Sequence, residues 1–179
     1  MTYNEYKVAA MKTATYPKDM AELYLDLGIH GEAGEVCDKF KKLIRDKGWR
    51  PGKDIAPADR QDILLELGDV MWYIANISVV FNVPMHFKNR RNISETDPDQ
   101  NNLLRADAAT CTVSELIKTI RSLHSEIDHG RNHLPWVVYA IAVIAHCLGS
   151  SLEEVCQMNI EKLRDRQERQ ALGGSGDHR

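Results

Sequence analysis

The stretch Asp-Ile-Leu-Leu-Glu-Leu-Gly-Asp-Val-Met-Trp-Tyr-Ile-Ala-Asn-Ile-Ser-Val-Val, residues 62–80, decides how the chain folds. At roughly 100° per residue, Ile63, Leu64, Leu67, Val70, Met71, Trp72, Ile74, Ile77 and Val79 cover nearly the whole wheel. That pattern predicts a helix buried on most of its sides. One strip of roughly 80° differs: it holds Asp62, Glu66, Asp69, Tyr73 and Asn76, with no basic residue among them. Burying a carboxylate without a partner costs on the order of several kcal/mol. The strip therefore needs cations from elsewhere, either lysines of a neighbouring helix or a metal ion.

The preceding helix offers the complement. Leu25, Ile29, Val36, Phe40 and Leu43 form its apolar stripe, Glu32 and Glu35 lie at the edge, and Lys39 and Lys42 share the glutamate side. Glu32/Glu35 and Glu66/Asp69 are each spaced i, i+3, so each pair projects from one side of its helix. Packed side by side, the two helices would gather four carboxylates. Gly28, Gly31 and Gly34 interrupt the first of them, each at a cost of about 1 kcal/mol relative to Ala. Glycines kept at that cost predict a close approach by another helix or by a ligand. The plainer alternative for this helix is a solvated face laced by Glu35–Lys39 and Asp38–Lys42 pairs. If a metal is held, oxygen-only ligands suit Mg²⁺, Mn²⁺ or Ca²⁺ rather than zinc, with Mg²⁺ the first expectation. A di-iron bundle would want Glu-x-x-His, and no His stands at those positions.

Outward from this pair, everything long has helical period and no stretch reads as a strand, so the class is all-α. A first helix is expected over 3–15, ended by Tyr16-Pro17. Asp19 with Glu22 reads as the cap of the second helix, to about 47, and Asp59 as the cap of the third, to about 81. Between them lies an exposed loop rich in Lys, Arg and Pro. Residues 86–110 are polar and aperiodic and read as a linker; Thr112 caps a further helix to about 128. An apolar helix follows over 135–148, and Ser151 with Glu154 caps the last, to about 170. Residues 84–134 thus stand as an insertion in one helical domain spanning 1–179, with a flexible tail at 171–179. Residues 72–85 and 139–152 echo one another, consistent either with a pseudo-repeated hairpin or with two buried helices that look alike.

Net charge is −3, with 43% hydrophobic and 27% charged residues. That argues against nucleic acid as a partner, since the Arg90, Arg91 and 164–169 charges are interleaved with acids. Cys37, Cys111, Cys147 and Cys156 show no CxxC spacing; three fall within expected helices, where a free thiol is a small core residue. A reducing, cytoplasmic setting is the expectation. The first eleven residues read as no secretory signal, and the apolar run 136–148 is too short to span a bilayer, so no membrane is expected.

The segments 28–42 (GIHGEAGEVCDKFKK) and 66–73 (ELGDVMWY) resemble the ExxE…ExxD signature of the MazG-like, all-α nucleoside triphosphate pyrophosphohydrolases. Residues 159–166 (NIEKLRDR), with the terminal GSGDHR, resemble the C-terminal signature of small, phage-type members. The resemblance covers about 19–83 and 150–179. It implies hydrolysis of a (d)NTP to the monophosphate and pyrophosphate, with Glu32, Glu35, Glu66 and Asp69 as magnesium ligands and Glu35 as the base for the attacking water. It also implies substrate contacts from Tyr73, Asn159, Lys162 and Arg166, with Lys39 and Lys42 as further candidates, and a homo-oligomer, most simply a dimer. The alternatives are a related pyrophosphohydrolase for phosphoribosyl-ATP or a dUTP/dCTP-type nucleotide, and a catalytically inactive metal-binding scaffold.

Overall fold

The computed structural model describes residues 1–50, 52–85 and 126–169. Five helices account for most of these: α1 (Tyr3–Met11), α2 (Ala21–Asp46), α3 (Pro57–Val80), α4 (Leu134–Cys147) and α5 (Leu152–Glu168). No strand occurs among the described residues, as the all-helical reading requires. The expected linker 86–110, the helix from Thr112 and the tail 171–179 lie outside the described residues, apart from a helical end at 126–128.

Helix α3 is the axle. It packs against α1, α2, α4 and α5, most extensively against α2. The near-complete apolar wheel explains this: Ile63, Leu67, Val70, Met71, Ile74 and Ala75 are all sealed from water. Helix α3 is long and apolar enough to cross a membrane, yet 72% of that window is buried inside the protein. Its apolar surface is already spent on its neighbours. Val79 departs from the expectation: it is exposed, with Val80, at the last turn of α3.

The helix starts follow different chemistry from the one expected. Asp19 caps nothing: a 3-10 turn at Lys18–Met20 leads into α2, whose first residue is preceded by Met20 without a side-chain cap. Asp59 is not a cap either. Pro57 begins α3 two residues earlier, where a proline's missing N–H and preset φ suit the first turn, and Asp59 instead accepts from Lys47 at 2.5 Å. The Ser151 cap is present, its Oγ accepting from the Glu154 N–H at 3.1 Å. A complete capping box, Thr2 with Glu5, starts α1. Helix α1 also stops sooner than expected, at Met11, where the Thr13 hydroxyl turns back to the Ala10 carbonyl. The loop after α2 is not wholly exposed, because Trp49 folds under to pack against Phe40, ring centres 5.9 Å apart and tilted.

Two cysteines match the reading as free thiols, Cys37 half-buried and Cys156 buried. Cys147 does not. It ends α4 partly buried against the edge of the core and is disulfide-bonded.

Candidate functional site

Helices α2 and α3 lie antiparallel. Lys39 meets Glu66 and Asp62, while eleven residues earlier Gly28 meets Tyr73 further along α3. At this seam Glu32, Glu35 and Glu66 each offer one carboxylate oxygen, all within 4.8 Å of one another. Their burial is graded: Glu66 is 6% exposed, Glu32 half-buried and Glu35 exposed. Burial, reinforced by the charges of Asp69, Glu35 and Glu66, pushes Glu32 up to about 8, with Lys162 opposing. Glu66 is also raised by burial, with Lys39 at 3.0 Å pulling the other way. A seam that protonates its own glutamate at neutral pH is short of positive charge.

Asp69 stands beside this group rather than in it. Its Oδ1 accepts from Asn159 Nδ2 at 3.0 Å and its Oδ2 from Lys162 of α5. Two of the four expected acids therefore already hold a lysine, one from each flanking helix. Asn159, expected as a substrate contact, is 0% exposed and holds the Asp69 carboxylate from behind. The polar neighbours of a small buried amide are interior groups, which is why a surface role does not follow from its sequence pattern. Lys42 turns away to Asp38 at 2.7 Å. Arg166 is partly exposed one turn beyond Lys162, with no ion pair among the described residues.

The three glycines of α2 divide into two kinds. A Cβ at Gly28 would sit 2.0 Å from Tyr73 Cε1, so that glycine admits the tyrosine ring. A Cβ at Gly31 or Gly34 would meet nothing within 4 Å among the described residues; with Glu35, Asp38, Lys39 and Lys42 they line an open groove of about 380 Å³. Gly28→Ala should cost about 1–3 kcal/mol, because overpacking the tyrosine outweighs the gain in helix propensity. Gly31→Ala and Gly34→Ala should each raise stability by roughly 0.5–1 kcal/mol. Urea unfolding of the three variants checks this, and equal effects at all three positions would overturn the division.

Four aromatic rings close the seam at the α2 N-terminal end. Tyr16 stacks on Tyr24 at 5.1 Å, Tyr24 lies 6.1 Å from Tyr73, and Trp72 meets Tyr73 edge-on at 4.9 Å. Trp72 is core, as expected, its Nε1 donating to Thr13 at 2.9 Å. Tyr24 is 42% exposed and was missed by sequence reasoning, as were Tyr16 and Tyr6. Only the register of Tyr24, two helical turns before Glu32 on the same side, could have signalled it.

No family model matches this chain, and no solved structure matches it. The chain is 38% identical over 96 residues to the Gene 37 protein of Mycobacterium phage L5, a match covering 50% of this chain and 81% of that protein. The chain belongs to the family of that phage protein. The Gene 37 name carries no activity with it, and half of this chain lies outside the match. What a Gene 37 family member does must therefore be argued from the seam itself.

Proposed function

We propose that the chain is a Mg²⁺-dependent nucleoside triphosphate pyrophosphohydrolase with a bundle of the MazG-like type, converting a (d)NTP and water to the monophosphate and pyrophosphate. The observation that carries this reading is the convergence of Glu32, Glu35 and Glu66 on one point at a seam where burial raises two of them. The donor set fits a hard divalent ion: it is all oxygen, mixes buried and exposed carboxylates, and contains no thiolate or imidazole. The ExxE…ExxD resemblance supports the same assignment. Glu32, Glu35 and Glu66 would hold the ion, with Asp69 joining by exchanging Lys162 for it. When bound, magnesium neutralises phosphate charge and acidifies water.

The chain's own groups supply the rest. Glu35, exposed and without a described partner, orients the attacking water and takes its proton as the water oxygen bonds to the α-phosphorus. The bond from that phosphorus to the bridging oxygen breaks, and pyrophosphate leaves with the electron pair. Lys39 and Lys162, set free of their carboxylates, stabilise the departing charge. The exposed face of Tyr24 lies eight residues before Glu32, about 12 Å along the helix axis, a span suited to a planar base whose phosphates reach the acids. A homodimer in the cytoplasm is part of the proposal, and so is an inserted, pseudo-repeated helical hairpin.

The decisive experiment is a panel of canonical and damaged nucleoside triphosphates, phosphoribosyl-ATP included, with Mg²⁺ and with EDTA. Monophosphate and pyrophosphate in equal amounts, lost on chelation, is the expected result. Orthophosphate release, or turnover indifferent to chelation, overturns the reaction. Calorimetric Mg²⁺ binding without any turnover would favour the inactive scaffold.

A further inference from the structure

A line of buried polar groups runs from α1 to the acids. Tyr6 is 0% exposed, and its hydroxyl donates to Asn159 Oδ1 at 2.8 Å. Asn159, equally sealed, passes the line on from Nδ2 to Asp69 Oδ1 at 3.0 Å. Gly68 makes room for it, since a Cβ there would lie 2.9 Å from the Asn159 Cβ. Three helices thus contribute one residue each to a path that ends on a single carboxylate oxygen.

The direction of the path follows from elementary chemistry. A phenol closed off from water keeps its proton at neutral pH, so Tyr6 is a donor. The Asp69 carboxylate only accepts, so Asn159 turns its amide N–H to Asp69 and its carbonyl to Tyr6. A flipped amide would set its oxygen against the Asp69 carboxylate, lone pair against lone pair. With Oδ1 tied in this way, the Asp69 carboxylate cannot swing, and Oδ2 is the oxygen left to change partners. That oxygen is the one now held by Lys162, whose side chain is 18% exposed on the open side of the seam.

We infer that Tyr6 is a positioning residue: acting through Asn159, it fixes the orientation in which Asp69 offers Oδ2 to a divalent cation shared with Glu32, Glu35 and Glu66. The inference rests on the metal-dependent reading above. Tyr6 itself touches neither cation nor substrate. The hydroxyl is positioned to act at a distance from the seam because α1 and α5 both pack on α3.

The test is Mn²⁺ affinity measured by electron paramagnetic resonance on the full chain, comparing the parent with Tyr6→Phe and Tyr3→Phe. Tyr3 is the control: it is buried on the same helix, and its hydroxyl donates to Ser78 at 3.0 Å, away from the acids. Tyr6→Phe should weaken Mn²⁺ binding about tenfold, the lower end of the usual effect of groups that orient ligands. Tyr3→Phe should lower thermal stability comparably and leave the affinity where it was. Equal affinities in parent and Tyr6→Phe overturn the inference alone, as does an equal weakening in both variants, which would mark a structural effect. A parent that binds no Mn²⁺ defeats the metal reading, and the inference with it. Should Tyr6→Phe not fold, the Asn159 side-chain amide of the parent decides by nuclear magnetic resonance. Slow hydrogen exchange and a shift on adding Mg²⁺ are expected; a freely exchanging amide, or one indifferent to Mg²⁺, overturns the role.

Discussion

Glu32→Gln should make the metal-free protein more stable at pH 8 while removing its response to magnesium. The folded-state carboxyl titrates at about 8 against an ordinary 4.5, chiefly because it is buried and secondly because Asp69, Glu35 and Glu66 surround it. A raised acid favours the folded state fully below the unfolded value and loses that advantage as pH climbs through the folded one. Between 4.5 and 8 the unfolded chain gives up its proton while the folded one retains it, so the parent's stability should fall across this window. Glutamine keeps the shape and abolishes the slope. Because the side chain is partly open to solvent, the full shift is discounted to about 1–2 kcal/mol at pH 8. Urea midpoints at pH 5 and pH 8, with and without MgCl₂, read the effect. The parent should lose stability between the two and regain it with magnesium; the variant should do neither. Identical pH slopes in both proteins would show that Glu32 is not strained.

The second large effect is kinetic. Glu35→Gln should reduce pyrophosphate release by about 10²–10⁴-fold, the range a positioned base supplies. Stability should stay within about 0.5 kcal/mol of the parent, since an exposed side chain away from packed features contributes little. The contrast with Glu32→Gln is the point of the pair: one acid is set by burial, the other by reach. A Glu35→Gln variant with full activity removes the general-base role, whatever happens to Mg²⁺ binding.

Much of this was legible because helical periodicity converts spacing into direction. The burial of α3, the apolar stripe of α2 and the side on which Glu32, Glu35, Glu66 and Asp69 project all follow from a fixed turn of roughly 100° per residue. Helix starts were harder. Asp19 and Asp59 have the right spacing to cap, yet Pro57 and a 3-10 turn set the actual boundaries. A capping signature competes with every other local way of satisfying the first N–H groups, and sequence does not rank them.

The glycines of α2 show where reading stops. Three identical residues at i, i+3, i+6 predict close approach equally, but only Gly28 receives a ring, and Gly31 and Gly34 face an open groove. Which of them is covered depends on the face of α2 that α3 meets, a long-range matter.

By itself, then, the sequence determined an all-helical class, the central buried helix and the faces that carry the acids, because these depend on local geometry alone. Only the tertiary structure decided that Lys39 and Lys162 neutralise Glu66 and Asp69, that Asp69 leans toward α5, and that Asn159 is sealed behind it. Those outcomes turn on which helices meet and at what register. Partners 90 and more residues apart, such as Asp69 with Asn159 and Lys162, leave no periodic trace in the chain that joins them.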